Sequence, residues 1–159
     1  MSVFLSQYTR ALTLIPSDDA NIPYPNPIIT GLTTGGSANS LIDSEADFIS
    51  LGVKTGDIVY NTSDNLAATV LEVVSATELL LNANATPASG SIYTIYVASS
   101  QSTNGNQGCY LYSMGLSDVE VITIGGDRVT FNNVQPGQIL PVQVLKYIYT
   151  SDYEFVALW

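Results

Sequence analysis

Carboxylates are the only abundant reactive side chains in this sequence. Fourteen Asp and Glu stand against four basic residues, Arg10, Lys54, Arg128 and Lys146, and there is no histidine. Without imidazole there is no histidine acid or base, no Ser-His-Asp or Cys-His nucleophile and no His-based zinc site. Cys109 is the single cysteine, which excludes an intrachain disulfide and a cysteine metal site. It sits in "GCYLYSMG", beside an aromatic strand pattern, where a buried and unreactive thiol is expected. A glycosidase sets two carboxylates across a sugar, between aromatic platforms; the groups to consider are Asp18–Asp19 and the alternating Asp43, Glu45 and Asp47. Oxygen ligands alone can hold calcium, but "DSEADF" lacks the spacing and glycine of an EF-hand loop, so a solvated turn is expected there. No glycine-rich run precedes a helix and a lysine, which leaves no phosphate cradle. "TIGGDRV" (123–129) reads instead as a hairpin turn, with Gly125–Gly126 or Gly126–Asp127 supplying positive φ. The expectation is a protein that is not an enzyme and has no catalytic residue, cofactor or metal.

The elements that would position any site are strands. Period-two patterning rich in Val, Ile, Thr and Tyr marks 11–15, 27–33, 57–62, 67–74, 78–82, 91–98, 109–114, 119–125, 128–134, 138–150 and 153–159. The turn signals "SDN", "SAT", "GGD", "QPG" and "SD" fall between them. The one helical candidate is a single turn in "SEADFISLG" (44–52), with Ser44 as N-cap and Gly52 as stop. The fold class is all-β.

Two small, polar stretches, "LTTGGSANS" (32–40) and "SSQSTNGNQG" (99–108), divide the chain. Residues 31–98 are expected to be an inserted, small β-barrel-like module. Residues 1–30 and 99–159 are expected to form a discontinuous β-sandwich or barrel-like module around it. The segment "IPSDDANIPYPNP" (15–27) holds four prolines, which fix φ and remove donors, so it cannot be an interior strand. It reads as a rigid, extended arm, laid either on a neighbouring subunit or on its own domain.

At 46% hydrophobic and 11% charged residues, the chain can bury a core, and its formal charge is −10. That charge argues against nucleic acid and anionic membrane surfaces as partners. No stretch approaches the ~18 apolar residues of a membrane helix, and "MSVFLSQYTR" lacks the basic start of a signal peptide. Tyrosines number ten. Tyr110 and Tyr112 share a strand face, as do Tyr147 and Tyr149, while Tyr93 and Tyr96 point to opposite faces. The last residues, "FVALW", read as the closing strand of a hairpin begun at "ILPVQVLKYIY". Phe155, Ala157 and Trp159 lie on one face, Val156 and Leu158 on the other, and Trp159 serves as an apolar plug.

Two stretches carry a family resemblance. "GGDRVTFNNVQPGQILPVQVLKYIYTSDYEFVALW" (125–159) resembles the C-terminal signature of small phage virion proteins, among them spike-base proteins of gene-transfer-agent heads and related proteins of tailed phages. That signature is a Gly-Gly turn, a "VTF.NV..G..LPVQV" hairpin and a terminal "ALW" or "ALY". "YTSDYEF" departs from the small-residue turn usual there. "SLIDSEADFISLGVKTGDIVYNTSDNLAATVLEVVSATELLLN" (40–82) resembles a small barrel module of phage structural proteins, "D..A.F...GV..GD.V.N......ATV..V.S.T.L.L". In it Phe48 and Val53 would pack beneath the barrel, and the second hairpin would turn near Ser75–Ala76.

The resemblance implies a non-enzymatic virion structural protein, made in the host bacterial cytoplasm. It would be a capsid decoration (cement) or head-spike base component, assembling as a homo-oligomer, with a trimer or pentamer favoured. Its partners would be copies of itself and the major capsid protein or other virion proteins. The packing and interface candidates are Tyr24, Tyr110, Tyr112, Tyr147, Tyr149 and Trp159. A receptor- or glycan-binding fibre or tail module, and a head–tail or tail connector, are the competing roles.

Overall fold

The computed structural model describes residues 8–98, 108–148 and 155–159. The described residues are all-β and antiparallel. Alternation sets the facing of most strands, as in β9 (Tyr110–Ser113) and β13 (Phe155–Leu158), where every second side chain is buried.

The larger sheet runs in the order β2-β8-β5-β6-β7-β4-β3. Its strands are β2 (Pro27–Leu32), β3 (Gly35–Ser37), β4 (Ser40–Ile42), β5 (Ile58–Asn61), β6 (Leu66–Val73), β7 (Glu78–Leu81) and β8 (Ile92–Tyr96). β6 pairs with β5 through its first half and with β7 through its second. The two edge strands, β2 and β3, are consecutive pieces of one stretch, so the sheet curls back on itself without the edges pairing. At the bend Thr33 donates its N–H to Ser91 on one side and Thr34 donates to Ile42 on the other. Leu41, Phe48, Val59, Ala68, Val70, Leu79, Leu81, Tyr93 and Ile95 fill the interior. The module begins at Pro27, earlier than the expected residue 31.

Two sequence expectations fail here. The turn at 44–52 is not helical. It is a chain of tight turns, with Ala46 N–H bonded to Asp43 (3.2 Å), Leu51 to Asp47 (3.0 Å) and Val53 to Phe48 (3.0 Å). Asp43 and Asp47 bond the N–H groups of Glu45 and Ser50, offering the backbone a competitor to helix, while Ser44 gives its own N–H to Thr34 Oγ1. Gly52 does stop the run, at φ +77°, and Phe48 and Val53 are buried as expected. The polar stretch 32–40, read as a boundary, contains the β3–β4 hairpin. Asn39, at φ +64°, turns it, and small residues give no hydrophobic alternation to announce it.

The second module has two three-stranded sheets, β1-β13-β9 and β11-β10-β12, with β1 (Ala11–Thr13), β10 (Ser117–Thr123), β11 (Arg128–Val134) and β12 (Val144–Ile148). The run 138–150, expected as one strand, bends after Leu140. Its first part bonds β9 (Ser113 N–H to Gln138, Leu140 N–H to Leu111) and its second, as β12, pairs with β10. The terminal strand is therefore not a hairpin partner of 138–150. β13 lies between β1 and β9 in the other sheet. At the Gly-Gly turn only Gly126 takes positive φ, +90°, and Thr123 N–H bonds Asp127 to close the loop.

Residues 14–24 join the modules. β5 is buried along its whole length, because its outer face is covered by the proline-rich arm. Ile15 and Ala20 pack on Ile58, Tyr60 and Ala67, and the Ile15 backbone hydrogen-bonds the Tyr60 hydroxyl. Polar contacts fix the middle of the arm. Ser17 Oγ donates to Ala67 (3.3 Å), Asn82 Nδ2 donates to the Asp19 carbonyl (2.7 Å), and Lys146 Nζ donates to the Asp18 carbonyl (2.9 Å). Of the two placements left open by sequence, the arm lies on its own chain. Ile15→Ala should cost about 2–4 kcal/mol in urea unfolding, the range for a buried aliphatic truncated into a cavity. Hydrogen exchange should speed up at Ser17 and Ile22 N–H together, since both bond across the same seam.

Candidate functional site

The outer face of sheet β1-β13-β9 is largely apolar. Register places Ala11, Leu158 and Tyr110 in one row and Thr13, Val156 and Tyr112 in the next, and Ile139 bridges to Tyr112 at the edge. Tyr8 packs edge-on against Tyr110, with ring centroids 5.9 Å apart. Val156, Leu158, Tyr110 and Tyr112 are half-buried, while Ile139 and the nearby Met114 and Leu116 of the β9–β10 connection are exposed. The opposite face of the same strands, Leu111, Phe155 and Ala157, is fully buried core. One sheet is thus apolar on both sides, and the described residues fully bury only one of them.

The six residues singled out from sequence separate on this frame. Tyr110 and Tyr112 sit on the outer face. Tyr147 is core, its ring 5.3 Å from that of Phe155. Tyr149 lies outside the described residues. Trp159 closes the inner row after Phe155 and Ala157 and packs against Tyr24, rings 6.2 Å apart at 73°. Arg10 stands over the Tyr24 ring, at 5.9 Å, and donates to the Pro25 carbonyl. Trp159 and Tyr24 are therefore a corner that pins the arm to the last strand. Sequence reasoning omitted Ile139, Met114 and Leu116 from the surface; only the bend after Leu140 brings Ile139 beside Tyr112.

The carboxylates do not converge. Asp57 is buried and accepts from the Lys54 and Ala98 N–H groups (2.8 and 3.1 Å), tying the turn before β5 to the end of β8. Asp43 accepts from the Tyr93 hydroxyl (2.6 Å) and Asp47 from Ser50. Asp18 and Asp19 are exposed on the arm. Among the described residues no three His, Cys, Asp or Glu side chains gather as metal ligands. Glu120 pairs with Arg128, which holds its carboxyl below the usual range. Burial pushes the Cys109 thiol up to about 12, and its Sγ lies against the Val144 carbonyl at 3.6 Å. No protein-family model, curated protein or solved structure matches this chain.

Two predictions follow from these environments. The Cys109 acid is weaker folded than unfolded, so its contribution to stability is complete below about pH 9 and is lost as pH rises toward about 12. Cys109→Ala should flatten that part of the alkaline unfolding curve, and the native thiol should resist a disulfide reagent at pH 8 that labels the denatured chain. Trp159 Nε1 is enclosed without a hydrogen-bond partner among the described residues. Trp159→Phe should therefore stay within about 1 kcal/mol of wild type in urea unfolding, while Trp159→Ala, losing the packing, should cost about 2–4 kcal/mol.

Proposed function

We propose that the chain is a non-enzymatic phage virion structural protein, a capsid decoration or head-spike base component that assembles as a homo-oligomer. The observation that carries the reading is the outer face of β1-β13-β9, where Tyr110, Tyr112, Val156, Leu158 and Ile139 form an apolar sheet surface that the described residues leave partly exposed. Tyrosine-rich, charge-poor patches suit protein–protein contact, because rigid aromatic rings bury large areas at low entropy cost. The resemblance of 125–159 to small phage virion proteins supports the setting, and its residues include the last three members of that face. A stable contact needs about 800 Å² from each partner, a larger area than the two rows, so Met114 and Leu116 belong to the contact as well. Copies meeting through these faces would present the curled seven-stranded module outward, toward the shell or away from it.

The experiment is native mass spectrometry of the full chain, alone and with purified capsid shells. A trimer or pentamer is expected, converted to monomer by the double change Tyr110→Glu, Tyr112→Glu while the unfolding midpoint stays close to wild type. A wild-type monomer that shells do not retain would overturn the reading.

A further inference from the structure

β11 is a sheet edge with β10 as its one partner among the described strands. The Thr123 N–H bonds Asp127 (2.9 Å), and the antiparallel ladder alternates from there, so Val129 and Phe131 turn their N–H and C=O groups toward β10. Arg128, Thr130 and Asn132 turn theirs away from it, and all three side chains are exposed. The irregularity that ends the pairing falls later, where Asn133 takes φ +54° and gives its N–H to Asp118. Residues 128–132 are thus regular strand without proline, lysine or bulge, devices that commonly blunt an edge. Arg128, the one charge among them, is paired with Glu120 of its own sheet. The other edges are blunted. β1 and β3 are short, β2 opens on Pro27 with a bulge before Ile29, β12 receives N–H groups from Ser17 and Ile22 of the arm, and β9 is met by Ile139 and Val144.

We infer that β11 pairs antiparallel with β11 of a second copy, about a two-fold axis at Thr130. This register uses the whole regular stretch: Arg128 meets Asn132, Val129 meets Phe131, and Thr130 meets its own copy. The outward groups then close two hydrogen bonds in each of three residue pairs. Shifting the axis by one residue in either direction runs the ladder into the turn at Gly126 or the kink at Asn133. The side chains suit the same register. Thr–Thr and aromatic–β-branched pairs favour adjacent strands. Val129 and Phe131 are half-buried, Phe131 against the core that holds Val119 and Val121, and pairing covers them further. No like charges meet, because Arg128 of one copy enters the row that runs through Asn132 to Asp118 of the other. So short a ladder buries less than the roughly 800 Å² per partner of a stable contact, so the pair forms at high concentration or between copies held close and separates on dilution. It lies on the other sheet from the tyrosine-bearing face and stands without the virion reading.

Two measurements test it, both on the full chain carrying Tyr110→Glu and Tyr112→Glu, so that the fate of the tyrosine contact does not enter. Amide exchange at Arg128, Thr130 and Asn132 should slow between micromolar and millimolar protein, while Val129 and Phe131, bonded to β10 throughout, stay slow at both. Cysteine trapping reads the register. In a glutathione buffer at millimolar protein, Thr130→Cys should give about tenfold more linked dimer than Arg128→Cys, since Cα atoms at the axis stand about 5.5 Å apart and those at 128 about 14 Å, beyond disulfide reach. Combining Arg128→Cys with Asn132→Cys should restore the linkage, and the native Cys109 is buried and does not compete. All three positions are exposed, so the unfolding midpoints should stay close to the parent chain. Equal trapping at 128 and 130, as random collision gives, would overturn the assignment. So would the absence of linked dimer, or exchange at Thr130 that does not depend on concentration.

Discussion

The fold depends on covering the second face of a sheet. β5 buries all four of its residues: Val59 faces the interior with Leu41 and Tyr93, and Ile58 and Tyr60 face outward. An outer face that apolar must be covered. The chain covers it with its own arm, 14–24, before the sheet has been made in sequence order. Ile15 and Ala20 supply the apolar contact, and the hydrogen bonds with Asn82, Lys146, Tyr147 and Leu145 satisfy backbone groups that proline-rich chain cannot pair in a ladder. The same arm leads from β1 in one module to β2 in the other. Cover and connection are one segment, so the two modules share a seam although each has its own core.

Buried polar groups follow the same economy. Asn61 is fully enclosed and uses its whole side chain: Nδ2 donates to Asp64 and Ala85, and Oδ1 accepts from the N–H groups of Ser63 and Asp64. Asp57 and Asp43 likewise serve backbone and hydroxyl donors. Of the acidic residues considered for catalysis in sequence, Asp43 and Asp47 are structural acceptors in the fold. Burial raises the Tyr60 and Tyr93 hydroxyls above the ordinary tyrosine range for the same reason, since a phenolate would have to lose its water.

What remains open to a partner is then limited. The outer face of β1-β13-β9 is apolar and tyrosine-bearing. The acidic surplus of the chain, with a single ion pair among the described residues, leaves its field largely uncompensated.

Local chemistry was readable in the sequence. Strand-forming runs, their facing, the glycine stop at Gly52, the turn at Gly126, the buried thiol and the shared face of Tyr110 and Tyr112 all follow from period two, turn residues and side-chain size, which act over a few neighbours. The 44–52 turn misled because Asp43 and Asp47 bond their own backbone, a choice that helix spacing does not reveal. The β3–β4 hairpin was silent because Gly, Ser and Asn carry no alternation. Pairing was decided only by the tertiary structure. Whether β13 closes on 138–150 or slots between β1 and β9, and whether the arm lies on a neighbour or on Tyr60, depend on which distant surfaces bury the most apolar area together. Those surfaces exist only once both modules have formed.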